Sequence, residues 1–147
     1  MSFTLQQTKI SIIIAARNEE ENIGTLLAAL QRQTYPAAFT EIIVVDDHST
    51  DSTVAIARQF PRIKIIQLKE DNLNSYKKKA IETGVASATG DLIVTTDADC
   101  LPSPDWLTTI AAFRQEKQSV FIAAPVVFTN ENSLLQIFQS IDFLVLQ

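Results

Sequence analysis

The segment Asp91–Trp106, DLIVTTDADCLPSPDW, begins with a short apolar run that leads directly into two acidic residues. The β-branched side chains of Asp91–Thr96 are typical of a β-strand, because such side chains pack well on a pleated surface. Asp97 and Asp99 follow the strand, and two carboxylates about 5 Å apart repel by about 3 kcal/mol at an effective dielectric constant of about 20. The spacing therefore predicts that something at this strand end, such as a bound cation, offsets the repulsion.

The 147-residue chain has an ordinary globular composition, with 46% hydrophobic and 20% charged residues. Its length fits one domain with its own core, so we predict a single domain over residues 1–147. The formal net charge of −5 argues against nucleic acid as a partner. The single cysteine, Cys100, and the absence of an apolar signal segment or a membrane-length apolar run predict a cytoplasmic protein.

Four further apolar runs have strand character and alternate with segments of helical spacing. They are rich in Ile and Val without polar alternation, which is typical of strands buried on both faces of a parallel sheet. The further runs are Ile10–Ala15, Glu41–Asp46, Ile63–Leu68 and Val120–Val127. The segments between them repeat apolar residues every three or four positions. This pattern predicts an α/β fold, an open, mostly parallel sheet with helices on both faces.

Three local signals indicate where helices begin and end. Asn18 and Glu21 have the spacing of a capping box at the start of the first helix. Ser103–Pro104 is typical of an N-cap followed by proline in the first turn. Gly90 is expected to end the third helix.

Acidic turns follow three of the expected strands. They are ARNEE at Ala16–Glu20, DDHSTD at Asp46–Asp51 and DADC at Asp97–Cys100. Any one of them could be an ordinary helix cap, because Asp, Asn and Ser are common cap residues. Ligands of open α/β sheets bind outside the carboxyl ends of the strands, so three such turns at one edge indicate a binding site.

The glycines limit the kind of ligand. The only three, Gly24, Gly84 and Gly90, form neither a dinucleotide-binding fingerprint nor a P-loop. A bound diphosphate would then need a cation rather than a glycine cradle. Asp99, with help from Asp97, offers the oxygen ligands that Mg²⁺ or Mn²⁺ prefers.

Four segments together resemble the nucleotide-binding half of the inverting glycosyltransferase family 2 enzymes, which have the GT-A fold. The resemblance extends from about Ile10 to Val127. Its segments are SIIIAARNEEENI (Ser11–Ile23), IIVVDDHSTDST (Ile42–Thr53), KKKAIETGVASATGDLIVTTDAD (Lys77–Asp99) and LPSPDWL (Leu101–Leu107). A D-x-D sequence alone is common by chance, whereas four segments in order at the expected strand ends are specific.

The resemblance implies a nucleoside diphosphate sugar as the donor. By it, Ala15, Arg17 and Glu19 border the base and ribose, and Asp47 bonds the base. This implies uracil or a similar ring, and hence a UDP-sugar.

The resemblance also implies how the diphosphate is held. Asp97 faces the ribose and the metal, Asp99 ligates Mg²⁺ or Mn²⁺, and Lys77 approaches the diphosphate. Lys77 is followed by two more lysines, so a solvated helix start explains it equally well.

Two residues depart from the family pattern. His48 stands where many members have glycine, and we interpret it as a turn residue without a catalytic role. Tyr76 replaces a glycine that is common before Lys77, which leaves the path of that loop open. Cys100 is expected to be a packing residue.

The implied reaction transfers the sugar, with inversion, to an acceptor hydroxyl of a saccharide or lipid. It needs a stabilised leaving group and a general base. The base is expected beyond Gln147, because Asp142 fits an exposed helical acid better. The apolar segment Ser133–Gln147 predicts a truncated donor-binding domain that is inactive alone and self-associates through this segment.

The resemblance also points to bacterial cell-envelope polysaccharide synthesis, and it leaves membrane association of the full-length protein open. Two other functions also fit acids at strand ends. A nucleotidyltransferase acting on sugar phosphates usually carries a Gly-rich basic loop after the first strand, whereas AARNEEENI is acidic. A receiver-like signalling module binds Mg²⁺ but places its acids after the first and third strands.

Overall fold

The computed structural model of the protein describes residues 8–71 and 76–118. The strands are β1 (Ile10–Ala16), β2 (Thr40–Asp46), β3 (Ile63–Gln67) and β4 (Leu92–Asp97). The helices are α1 (Ile23–Gln31), α2 (Thr53–Ala57), α3 (Tyr76–Ser87) and α4 (Trp106–Lys117), with a short 3-10 turn at Ala37–Phe39. One compact unit extends to Ala111 and a second begins at Ala112; the architecture below is that of the first unit.

The four described strands form one parallel sheet in the order β3-β2-β1-β4. Ile10 of β1 is aligned with Thr40 of β2 and with Leu92 of β4, so the central strand is paired along both edges. The strand bounds match the predicted runs to within one residue. The predicted strand Val120–Val127 lies outside the described residues.

Helices cover both faces of the sheet, as the apolar pattern predicts. On one face, Ile12 and Ile14 of β1 pack in a buried cluster with residues of α1, α2 and the first part of α4. On the other face, Ile13 packs in a second cluster that includes Ala80 of α3. Because β1 is buried on both faces, nearly every one of its positions is apolar. Among the described residues, no helix has the length and apolar character that crossing a bilayer requires.

Two predicted helix starts are wrong. Helix α1 begins at Ile23, one turn after the expected capping box, and Asn18 has a φ of 52°. The side chain of Asn18 accepts a hydrogen bond from the backbone N–H of Thr50 (2.8 Å), which lies in another loop. Helix α4 begins at Trp106, whose N–H donates to the carbonyl of Ser103 (3.1 Å).

Gly90 does not end the third helix, because α3 already ends at Ser87. Gly90 lies in the turn before β4, where its N–H donates to Ser11 Oγ (2.8 Å). A Cβ atom on Gly90 would lie 2.7 Å from the backbone nitrogen of Ser11 and 2.9 Å from the carbonyl oxygen of Lys9. Glycine is required here by the close approach of two backbones rather than by a helix end.

Helix α3 packs tightly against the sheet at Gly84. A Cβ atom on Gly84 would lie 2.5 Å from Ile13 Cγ2 and 3.3 Å from Val45 Cγ2, both in buried side chains. We expect Gly84→Ala to lower the free energy of unfolding by about 1–3 kcal/mol, the usual cost of overpacking a core. Urea denaturation of the two proteins measures this difference.

Gly24→Ala is the matched control for this substitution. Its Cβ atom would make only an ordinary contact of 3.4 Å with Ile56, and alanine is the better helix former. We expect the stability of this variant to be unchanged or slightly higher. Equal destabilisation by the two substitutions would contradict the packing of α3 described above.

Candidate functional site

The carboxyl ends of β1, β2 and β4 lie side by side at one edge of the sheet. In register, Ala16 of β1 is opposite Asp46 of β2, and Ala15 is opposite Asp97 of β4. The three acidic turns predicted to share an edge therefore follow adjacent strands.

Cross-loop hydrogen bonds join the turn after β1 to the turn after β2. The N–H of Asn18 donates to Ser49 Oγ (2.9 Å), and the N–H of Glu19 donates to Thr53 Oγ1 (2.8 Å). The side chain of Glu19 accepts from Asn22 Nδ2 (2.9 Å), so its carboxylate is held at the start of α1. The two turns form one hydrogen-bonded unit that supports the edge of the sheet.

Asp51 is the central acceptor of this unit. It accepts hydrogen bonds from the N–H and hydroxyl of Thr53 and from the N–H of Glu20. Desolvation alone would raise the pKa of Asp51, but the hydrogen bonds from Thr53 and Glu20 together hold the pKa below its usual value. The ionised carboxylate is therefore the form that the folded protein stabilises.

We expect Asp51→Asn to make the stability of the protein less dependent on pH. A lowered folded-state pKa means that ionised Asp51 stabilises the fold above the unfolded-state pKa near 3.8, and that this stabilisation is lost as the pH falls through the folded-state pKa. The variant should melt below the parent at pH 7, and the difference should shrink as the pH falls through the folded-state pKa of Asp51. Thermal melts across this range test the expectation.

Asp91→Asn is the control, because the Asp91 side chain makes no hydrogen bond among the described residues. A constant difference between Asp51→Asn and the parent at every pH would contradict the electrostatic explanation.

Asp47 is the most enclosed carboxylate that the sequence assigned to the site, with a side chain 8% exposed. Its Oδ2 lies 3.6 Å from Arg17 Nη1, and its Oδ1 lies 2.8 Å from His48 Nδ1. The backbone N–H of Asp47 donates to the carbonyl of Ala16 (2.8 Å). The guanidinium of Arg17 lies over the ring of Tyr76, 5.4 Å from its centroid. A buried carboxylate is thus held between two nitrogen groups.

Asp97 forms an ion pair with Lys77. The distance from Lys77 Nζ to Asp97 Oδ1 is 2.6 Å, and both side chains are more than half exposed. A pair this exposed contributes only about 0–1 kcal/mol, so it can exchange partners readily. Part of the repulsion expected between Asp97 and Asp99 is therefore offset by a lysine.

Asp99 lies two residues beyond the end of β4 and is exposed. Within residues 8–71 and 76–118, no group of three or more His, Cys, Asp or Glu is arranged to hold a metal ion. Mg²⁺ commonly binds through only one or two carboxylates and takes its remaining ligands from phosphate oxygens and water. Asp97 and Asp99 therefore fit a cation shared with a bound diphosphate, and they do not form a closed protein cage.

Two features of the site could not be found from the sequence. Tyr76 begins α3, yet its ring lies against Arg17 from the turn after β1 and edge-on to His48, with ring centroids 6.1 Å apart. His48 also contacts Asp71, which follows β3. These residues are far apart in the chain, so no local pattern relates them. In the sequence, the one sign that His48 and Tyr76 have a particular place at the site is that both depart from the family pattern.

A parallel α/β sheet with polar side chains gathered at its carboxyl edge is typical of nucleotide-binding proteins. Residues 11–141 match the family described as "Glycosyl transferase family 2". The chain belongs to this family. Of the three functions considered from the sequence, this favours a glycosyltransferase over a nucleotidyltransferase or a receiver-like module.

Named relatives agree with the family. The chain is 37% identical over 102 residues to "Glycosyltransferase AglE" of Haloferax volcanii, covering 67% of this chain and 33% of that protein. It is 32% identical over 145 residues to "Probable glycosyltransferase YdaM" of Bacillus subtilis, covering 95% of this chain and 34% of that protein. The chain thus spans about a third of the length of these relatives.

Solved structures of glycosyltransferases share the fold. S. aureus TarS 1-349 matches with a TM-score of 0.70 and 28% identity, over 84% of this chain and 40% of that one. A complex of the same protein with UDP-GlcNAc matches with a TM-score of 0.64 and 26% identity, over 84% and 38%. A mannosyltransferase from Pyrobaculum calidifontis, in complex with GDP-Man and Mn²⁺, matches with a TM-score of 0.61 and 28% identity, over 80% and 34%. The fold is therefore of the GT-A glycosyltransferase type.

Proposed function

We propose that this chain is the donor-binding domain of an inverting glycosyltransferase that uses a UDP-sugar and a divalent metal. The observation that carries the proposal is the enclosed carboxylate of Asp47, held beside Arg17 at an edge that also carries Asp97 and Asp99. Asp47 would contact the base, and Asp97 and Asp99 would hold a cation beside the phosphates. One edge of the sheet would thus bind both ends of a nucleoside diphosphate. The complexes of similar proteins with UDP-GlcNAc and with GDP-Man support the class of donor.

Asp47 is the proposed contact of the nucleotide base. An ionised carboxylate only accepts hydrogen bonds, so it suits the imide N–H of uracil. In this arrangement Ala15, Arg17 and Glu19 border the base and the ribose. The guanidinium of Arg17, which lies over the Tyr76 ring at 5.4 Å from its centroid, is planar and would offer a flat surface to an aromatic base.

Asp97 and Asp99 are the proposed holders of Mg²⁺ or Mn²⁺. These two carboxylates would hold the cation at the sheet edge, where it would supply Lewis-acid stabilisation of the charge on the leaving diphosphate. Lys77, now paired with Asp97, is close enough to the same edge to donate to a phosphate oxygen. The carboxylates and the lysine thereby hold the leaving group in position for inversion at the sugar carbon.

The acceptor is proposed to be a hydroxyl of a saccharide or a lipid. Because the chain spans about a third of its relatives, we assign the general base to a carboxylate outside the described residues. We place the reaction in the cytoplasm, at the inner face of the membrane if the full-length protein is membrane-bound. The proposed self-association through Ser133–Gln147 concerns residues outside the described ones.

Calorimetric titration with UDP, GDP and dTDP, each with and without Mn²⁺, tests the donor and the metal together. We expect UDP to bind most tightly and Mn²⁺ to strengthen its binding. Asp99→Ala should weaken UDP binding in Mn²⁺ by about tenfold or more, because the charge that the metal places on the diphosphate is lost. Without Mn²⁺, the variant and the parent should bind UDP alike.

Asp91→Ala is the matched control, because it removes an exposed carboxylate next to the opposite end of the same strand. It should leave both the affinity and the metal dependence unchanged. Absence of nucleotide binding by the parent protein, with or without metal, would refute the proposed function.

Lys77→Met tests the contact with the diphosphate. We expect it to weaken UDP binding about three- to tenfold, the effect of losing one charge-assisted hydrogen bond, and to leave uridine binding unchanged. Lys78→Met is the control, because Lys78 Nζ lies 3.9 Å from Glu82 on its own helix. Equal losses in the two variants would instead indicate a general electrostatic effect of the lysine cluster.

A further inference from the structure

His48 is hydrogen-bonded to one of the two carboxylate oxygens of Asp47, the residue proposed to contact the nucleotide base. Its Nδ1 lies 2.8 Å from Asp47 Oδ1. Because a carboxylate can only accept, Nδ1 must carry the hydrogen of this bond. The other oxygen, Oδ2, faces Arg17 at 3.6 Å, which is longer than a hydrogen bond. Among the described residues, Oδ1 of Asp47 already takes part in a hydrogen bond, whereas Oδ2 has only the longer contact with Arg17 and is the less occupied acceptor.

Several contacts hold the His48 ring in this place. The residue has a φ of 55°, a left-handed backbone conformation that directs its side chain back over Asp47. The Tyr76 ring meets it edge-on at an interplanar angle of 85°. On the far side, Nε2 lies 3.4 Å from Asp71 Oδ1, although no residue within the described ranges makes an aligned hydrogen bond to it. His48 is thus wedged between Asp47, Asp71 and Tyr76.

Nucleotide bases differ in the donors that they offer to a carboxylate. Uracil has one imide N–H on its pairing edge, whereas guanine has a ring N–H and an adjacent amino group. A carboxylate with both oxygens open can accept both guanine donors in a bidentate contact, as guanidinium groups show. A carboxylate with one available oxygen can accept from the single uracil donor, but it leaves one guanine donor without a partner.

We propose that His48 is a specificity-determining residue: its bond to Oδ1 of Asp47 competes with a second donor from the base, and so favours a base with one donor, such as uracil, over guanine. This inference rests on the proposed function, because it requires Asp47 to bond the base. It assigns no proton transfer or bond-breaking step to His48. It also gives a physical reason for a histidine at a position where glycine would suit the backbone equally well.

The test compares UDP and GDP affinities of the parent protein and of His48→Gly by calorimetry. Glycine adopts the left-handed backbone without strain, so the turn is expected to persist. Opening Oδ1 should shift the ratio of UDP to GDP affinity toward GDP by about five- to tenfold, the effect of one hydrogen bond. UDP and GDP carry the same ribose and diphosphate, so a change in the ratio of their affinities reports only on the contact with the base. If His48 has a purely structural role, its replacement should lower the affinities for UDP and GDP by the same factor.

His48→Asn is a second variant, because asparagine also tolerates this backbone and its side chain is shorter than histidine. It should shift the ratio in the same direction. Glu70→Gln is the control: Glu70 lies next to Asp71 but pairs with Lys79 (3.2 Å), and its loss should leave the ratio unchanged.

The outcomes separate this inference from the proposed function. If the parent binds no nucleotide, the proposed function fails. If the parent binds UDP and both His48 variants keep its UDP to GDP ratio, the inference fails while the proposed function stands. A parent that prefers GDP would also overturn the inference.

Discussion

Pairing of β1 along both of its edges is the constraint on which the candidate site depends. The strand is buried over nearly its whole length and is hydrogen-bonded to β2 on one side and β4 on the other. Parallel strands end at the same edge of a sheet, so this pairing alone brings Asp46 and Asp97 to either side of the alanines that end β1. The chemistry of the edge follows from the order of the strands.

Burial divides the acids of this edge into two kinds. Asp47 is enclosed, and a carboxylate removed from water is costly unless it is hydrogen-bonded or paired; here His48 bonds one oxygen and the charge of Arg17 lies 3.6 Å from the other. Asp97 is exposed, and its pair with Lys77 is weak because water screens it. An enclosed carboxylate such as Asp47 is suited to recognising a ligand with a fixed arrangement of hydrogen-bond donors. An exposed carboxylate such as Asp97 can release its lysine and bind a cation instead.

Hydrogen bonds between loops make one side of the site stiffer than the other. The turns after β1 and β2 are joined through Asn18, Glu19 and Asp51, so the part of the edge nearest Asp47 is braced by several contacts. The side formed by the start of α3 depends on the contact of Tyr76 with Arg17 and on the Lys77 ion pair. Under the proposed function, the base would bind on the braced side and the diphosphate on the more adaptable side.

The architecture and the acidic residues at the sheet edge could both be predicted from the order of the residues alone. Hydrophobic periodicity is a local property, so runs such as Ile10–Ala15 located the strands to within one residue. The capping box at Asn18 failed because that side chain finds a partner in a different loop, Thr50, which no local pattern reveals. The bond between His48 and Oδ1 of Asp47 and the contact of Arg17 with the Tyr76 ring became visible only in the folded chain. These contacts join residues from separate strand ends, and folding of the sheet is what brings those ends together.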